Sequence, residues 1–148
     1  MMSEAHFSSK HAEALTNQLF AINKNIHHKK LCLDEMKALA TKTTSTITDM
    51  PRPETPDPQR LENLMVKIAD AENDIQADMK AMSNMKAELA GLIASLHDYM
   101  QMRVMSLRYL EFKPLETIAE ELDISVRRVQ QIRSEAMAKL ENLEQLGA

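Results

Sequence analysis

Apolar residues recur along this chain at helical spacing. Leu15, Leu19, Ile22, Ile26, Leu33, Met36 and Ala40 follow steps of four and three, and Lys29 is the one interruption. A narrow stripe of that kind predicts an amphipathic helix over about residues 8–40, with a seam of coiled-coil type. Further on, Leu61, Ile68, Ile75, Met82, Leu89 and Leu96 stand seven apart. Leu64, Ala71, Met85, Leu92 and Tyr99 fill the companion seam, broken at Asp78. This pattern predicts a second, long helix. At about 1.5 Å per residue, residues 60–96 would extend roughly 55 Å. A helix with one apolar stripe needs a partner, and the expected one is the first helix, folded back as an antiparallel hairpin. A second copy of the chain could complete the bundle.

Between the two lies TKTTSTITDMPRPETPDP, residues 41–58, which holds Pro51, Pro53, Pro56 and Pro58. Proline lacks an amide donor and restricts the residue before it, so residues 41–59 are expected to form a semi-extended linker. The remaining proline, Pro114, is expected at the first position of a helix.

The pattern changes after residue 97. Met100, Val104, Leu107 and Leu110 mark a helix near residues 97–110, and Glu111-Phe112-Lys113-Pro114 makes a turn. Leu115, Ile118, Ala119 and Leu122 then define a short helix, Asp123-Ile124-Ser125 a turn, and Val129, Ile132, Ala136, Met137 and Leu140 another helix. This spacing fits a helix-turn-helix, with small Ala119 at the crossing of the two helices. Ser125 is placed to cap the second helix. Asp123 stands where glycine is usual, because aspartate tolerates positive φ better than most residues.

Composition agrees with an all-α chain. Only 3% of the 148 residues are aromatic, only Gly91 and Gly147 are glycine, and methionine occurs 12 times. Two glycines cannot supply a Rossmann fingerprint or a P-loop. Met79, Met82, Met85, Met100, Met102 and Met105 read best as a soft, adaptable core, the alternative being a promiscuous binding surface. The net charge is −4, which excludes a globally basic coat but not a local basic face. Over residues 126–140, Arg127, Arg128, Arg133 and Lys139 stand against Glu135 alone, a net +3. Arginine and glutamine can pair bidentately with base edges in the major groove. The candidate DNA contacts are therefore Lys113, Thr117, Ser125, Arg127, Arg128, Gln130, Gln131, Arg133 and Ser134, against the plainer reading of a solvated charged face.

Other signals are weaker. His28 and Cys32 are four apart on one helix face, but no second ligand pair completes a zinc set. Adjacent carboxylates such as Glu120 and Glu121 point to different sides of a helix, and no nucleophile elbow is present. The expectation is a protein that is not an enzyme, with no cofactor and no metal. Cys32, alone, forms no intrachain disulfide. The absence of a long apolar run predicts no membrane span and a cytoplasmic location.

RYLEFKPLETIAEELDISVRRVQQIRSEAMAKL resembles region four of bacterial sigma factors, which reads the −35 promoter element. The resemblance rests on Arg108-Tyr109, Ile118-Ala119, Leu122, Ser125, Val129-Gln130-Gln131-Ile132, Ala136 and Lys139-Leu140. Where primary sigma factors carry Arg-Glu-Arg and then Ile-Arg-Gln, this chain has Val126 to Gln131, and only Arg128 and Gln131 keep the polar identity. The standard −35 target is therefore not carried over. The layout is also similar to phage late regulators of the ArpU/RinA-like group. That resemblance implies a phage or prophage transcriptional regulator in a bacterial host cell. The expected organisation is an N-terminal helix (1–40), a linker (41–59), an oligomerising heptad helix (60–96) and a helix-turn-helix domain (97–148). The expected partners are double-stranded DNA and further copies of the chain, as a homodimer or higher oligomer. Competing readings are a sigma-like module that binds RNA polymerase, and a small terminase-like DNA-packaging subunit.

Overall fold

The computed structural model describes residues 11–49 and 58–146, with side chains over 11–42 and 58–142. Every described element is helical. Helix α1 is His11–Asp49, α2 is Pro58–Ala94, α3 is Tyr99–Met105, α4 is Leu115–Leu122 and α5 is Val126–Leu146. A π-helical turn, Ser106–Leu110, continues α3.

Helix α1 runs nine residues past its expected end at residue 40, so 41–49 are helix and not linker. Threonine and serine are poor helix formers, but each costs only about 0.5 kcal/mol relative to alanine, and an established helix propagates through them. The first steric bar is Met50, which precedes Pro51. Pro58 opens α2, two residues earlier than expected, where its missing amide is not needed. The rest of the expected linker, residues 50–57, lies outside the described residues.

The chain divides into two compact units. One is Ile22–Ala81 and the other comprises the described residues of Met1–Ala21 and Met82–Ala148. In the first, Leu33, Ile68 and Ile75 form a buried seam, flanked by Met36, Ala40, Leu64 and Ala71. Lys29 meets Asp74 and Asp78 at 2.8 and 2.6 Å, while Lys37 meets Glu72 at 3.4 Å. Numbers rise on one helix as they fall on the other, so this pair is antiparallel. Lys29 and Asp78, the two residues that interrupt the apolar seams, are bonded to each other.

In the other unit, two clusters share one scaffold. The first joins Ala12, Leu15 and Leu19 of α1, Leu89 and Ile93 at the end of α2, Leu96 in the turn after it, and Met105, Tyr109, Ala136 and Leu140. The second joins Val104, Leu107, Ile118, Ala119, Val129 and Ile132. The residues around the helix-turn-helix therefore pack together with 11–21 and 82–96, and no compact unit begins at residue 97. The π turn, not expected from the apolar spacing, fits this double duty. Val104 and Leu107 enter the second cluster while Met105, Tyr109 and Leu110 enter the first. A wider turn offsets side chains that a regular α-helix would hold on fixed bearings. Of the six methionines expected in the core, Met105 is fully buried and Met82, Met85, Met100 and Met102 pack partly buried, as a soft core requires, but Met79 is exposed and lies outside it. Tyr99, expected in the companion seam, is 70% exposed, because α2 stops at Ala94 and the chain turns at His97 before α3.

Candidate nucleic-acid interface

The helix-turn-helix is built from α4, a three-residue turn and α5. Asp123 takes the left-handed conformation, φ 56° and ψ 49°. Its amide donates to the Glu120 carbonyl, and the next amide, Ile124, donates to Ala119 at 3.0 Å. These two bonds form a Schellman closure, which satisfies carbonyls that the end of α4 leaves free. Ser125 then caps α5: its Oγ accepts from the Arg128 amide at 3.1 Å. Pro114 sits one position before the first helical residue rather than on it, with ψ 155°, and its carbonyl accepts from Ile118. Ala119, Val129 and Ile132 are buried where the two helices cross.

This packing fixes which side of α5 faces outward. Val129, Ile132, Ala136 and Leu140 turn inward. Arg127, Gln131 and Ser134, at steps of four and three, lie along one exposed line, flanked by exposed Arg128 and Gln130. Arg128 Nη1 donates to Gln131 Oε1 at 3.4 Å. The line begins in the first turn of the helix, next to the Ser125 cap.

The remaining sequence candidates are placed differently. Lys113 is half-buried and its Nζ is bonded to Glu121, with Glu111 at 3.7 Å. The hydrogen bond to Glu121 raises the Lys113 pKa above its ordinary value. Thr117 is half-buried on α4. Arg133 is half-buried, and its Nη1 donates to the Tyr109 hydroxyl at 3.1 Å. Lys139, counted in the local +3, donates from Nζ to the Leu96 carbonyl. Arg127 and Arg128 are thus the two exposed cations on this helix among the described residues. The net +3 is correct as composition, but only part of it faces solvent. The Tyr109–Arg133 contact spans 24 residues, and no periodicity announces it.

Comparison with known proteins agrees on class. The arrangement is a helix-turn-helix, and residues 98–142 match the family model for sigma-70, region 4. The match covers just under a third of the chain and includes α3, the π turn, α4 and most of α5. No curated protein and no solved structure matches the chain. No described helix is long and apolar enough to cross a membrane. His28 Nε2 and Cys32 Sγ approach to 3.7 Å on an exposed face of α1, but no group of three or more metal-ligating side chains occurs among the described residues.

Proposed function

We propose that the protein is a sequence-specific, double-stranded-DNA-binding transcriptional regulator of phage or prophage origin, acting in the cytoplasm of a bacterial host. The observation that carries this reading is the exposed Arg127–Gln131–Ser134 line, on a capped helix that a helix-turn-helix holds by its other side. A helix of about 10–12 Å diameter matches the major groove, and side chains near its N-terminus are those that reach base edges. Arg127 and Gln131 are the base readers in this proposal. Arg128, Gln130 and Ser134 serve backbone or flanking contacts.

Two exposed arginines give few phosphate contacts, so one reader alone should bind weakly and with shallow salt dependence. Two readers held in one assembly gain effective concentration and a set half-site spacing. The proposal therefore includes a homodimer or higher oligomer. The test of DNA reading is recovery of protein-bound DNA followed by sequencing, with Arg127→Ala and Gln131→Ala as controls. A shared motif bound by wild type and lost in both variants is expected. Random recovery, or wild-type binding by both variants, sinks the proposal. Light scattering on the full chain tests the assembly, and a monomer mass removes it.

A second reading, a module that docks on RNA polymerase, is favoured by the exposed Glu116 and Glu120 on α4, one turn apart, whose carboxylates form no ion pair with any described residue. Pull-down of polymerase without promoter DNA separates the two.

A further inference from the structure

A polar cleft of about 330 Å³ lies beside α5, between it and the first turns of α1. Its lining includes Glu13, Thr16, Tyr109, Arg133, Met137 and Glu141. The size is at the lower end of small-ligand sites.

The charges in this cleft do not satisfy one another. Arg133 is half-buried, yet it makes no ion pair with any described residue. Its Nη1 is spent on the Tyr109 hydroxyl, while its Nε is buried and meets no acceptor among the described residues. Half-burying a guanidinium without a counter-charge is costly, and an orphaned buried donor adds to that cost. Two carboxylates, Glu13 and Glu141, line the same cleft, but neither comes within 4 Å of a nitrogen of Arg133. Glu13 is exposed on α1, and Glu141 lies two turns beyond Arg133 on α5. A cation and two anions thus line one small space without touching. Thr16, 1% exposed, has its hydroxyl turned to the Glu13 carbonyl, and Met137 supplies an apolar surface.

We propose that this cleft binds a small zwitterion of the α-amino-acid class, its carboxylate on Arg133 and its ammonium on Glu13 or Glu141. A simple anion would meet the two carboxylates, and a simple cation would meet Arg133. A molecule carrying both charges can meet Arg133 and one of the carboxylates at once. Bound there, it links α1 to α5, whose Ser134 lines the cleft at the edge of the exposed line that carries Gln131. The inference rests on the cleft alone and stands whether or not α5 reads DNA.

Thermal unfolding of the full chain, with each of the twenty L-amino acids at millimolar concentration, tests it. At least one should raise the melting temperature, since a ligand that binds only the folded state stabilises it. The corresponding amino alcohol, which lacks the carboxylate, and the N-acetyl derivative, which lacks the ammonium, should give no shift. Arg133→Met should abolish the response, and Glu13→Gln, at an exposed position where folding is not at risk, should reduce it several-fold. No stabilising amino acid, an equal shift with either derivative, or an undiminished shift in both variants overturns the proposal.

Discussion

His97, Phe112 and Asp123 hold φ near +57°, the left-handed region that favours glycine, in a chain with almost no glycine. Each meets the requirement differently. Asp123 is among the residue types that tolerate it, and two backbone bonds close around it. Phe112 offsets the strain by packing. Its ring stands edge-on to Phe20 at 5.6 Å, and Lys86 lies over it at 4.9 Å. His97 is exposed and makes no such contact. His97→Gly should therefore stabilise the protein by about 1 kcal/mol, read as a higher melting temperature. Phe112→Ala keeps the strained backbone and loses the ring. It should cost about 2 kcal/mol, below the ~3–5 kcal/mol of a fully buried phenylalanine, and urea unfolding would measure it.

At the scale of elements, pairing of α1 with α2 depends on where the apolar seams are interrupted. Lys29 and Asp78 each look like a defect in their own helix, and together they form one bond at a single register. Asp74, one turn before Asp78, also meets Lys29, but a slide that parts Asp78 from Lys29 leaves Asp78 in the apolar seam without its partner, so Asp78 specifies alignment as a polar seam residue can in a coiled coil. Reversing one charge, Lys29→Asp, should destabilise the hairpin, and adding Asp78→Lys should restore much of the loss. Equal stability of single and double variants in chemical denaturation would refute the register role. Hydrogen bonds to Asp74 and then Asp78 raise the Lys29 pKa above the ordinary 10.5. A raised lysine pKa means that the folded state holds its proton more tightly. The contribution is full below pH 10.5 and fades as pH climbs through the higher folded value. Gly91 on α2 is a separate weak point. A β-carbon there would meet nothing within 4 Å, so Gly91→Ala should raise stability by about 1 kcal/mol.

For the whole molecule, the back of the α5 helix is covered by residues far away in sequence. Ala136 and Leu140 pack with Ala12, Leu15, Leu19, Leu89, Ile93 and Leu96 in one cluster. A fragment of residues 97–148 would expose Met105, Tyr109, Ala136 and Leu140, all at most 5% exposed in the full chain. That fragment should melt at a much lower temperature, or without cooperativity, by circular dichroism. A sharp transition like that of the full chain would contradict this view. Leu19→Ala or Leu89→Ala, each cutting the same cluster, should cost roughly 2–5 kcal/mol.

Much of this was legible in the chain itself. The heptads gave α1 and α2, and all six positions spaced by seven from Leu61 to Leu96 are at least partly buried. Local sequence determined the turn as well, because the Asp123 closure and the Ser125 cap need only neighbours a few residues away. The exposed line on α5 followed from the period of its buried residues. A further signal was present but spread more widely. Ala12, Leu15, Thr16, Leu19 and Phe20 make a stripe broader than a two-helix seam needs, a mark of packing on more than one partner. Tertiary structure alone decided which charges are free. Arg133 turns to Tyr109 and Lys139 to the Leu96 carbonyl, so the basic helix of the sequence presents two exposed arginines, and Lys113, before α4, turns to Glu121. Periodicity reports which side of a helix is apolar. It carries no information about which distant carbonyl, hydroxyl or carboxylate arrives to meet a long, flexible cation, and that meeting is fixed only when the remote segments pack.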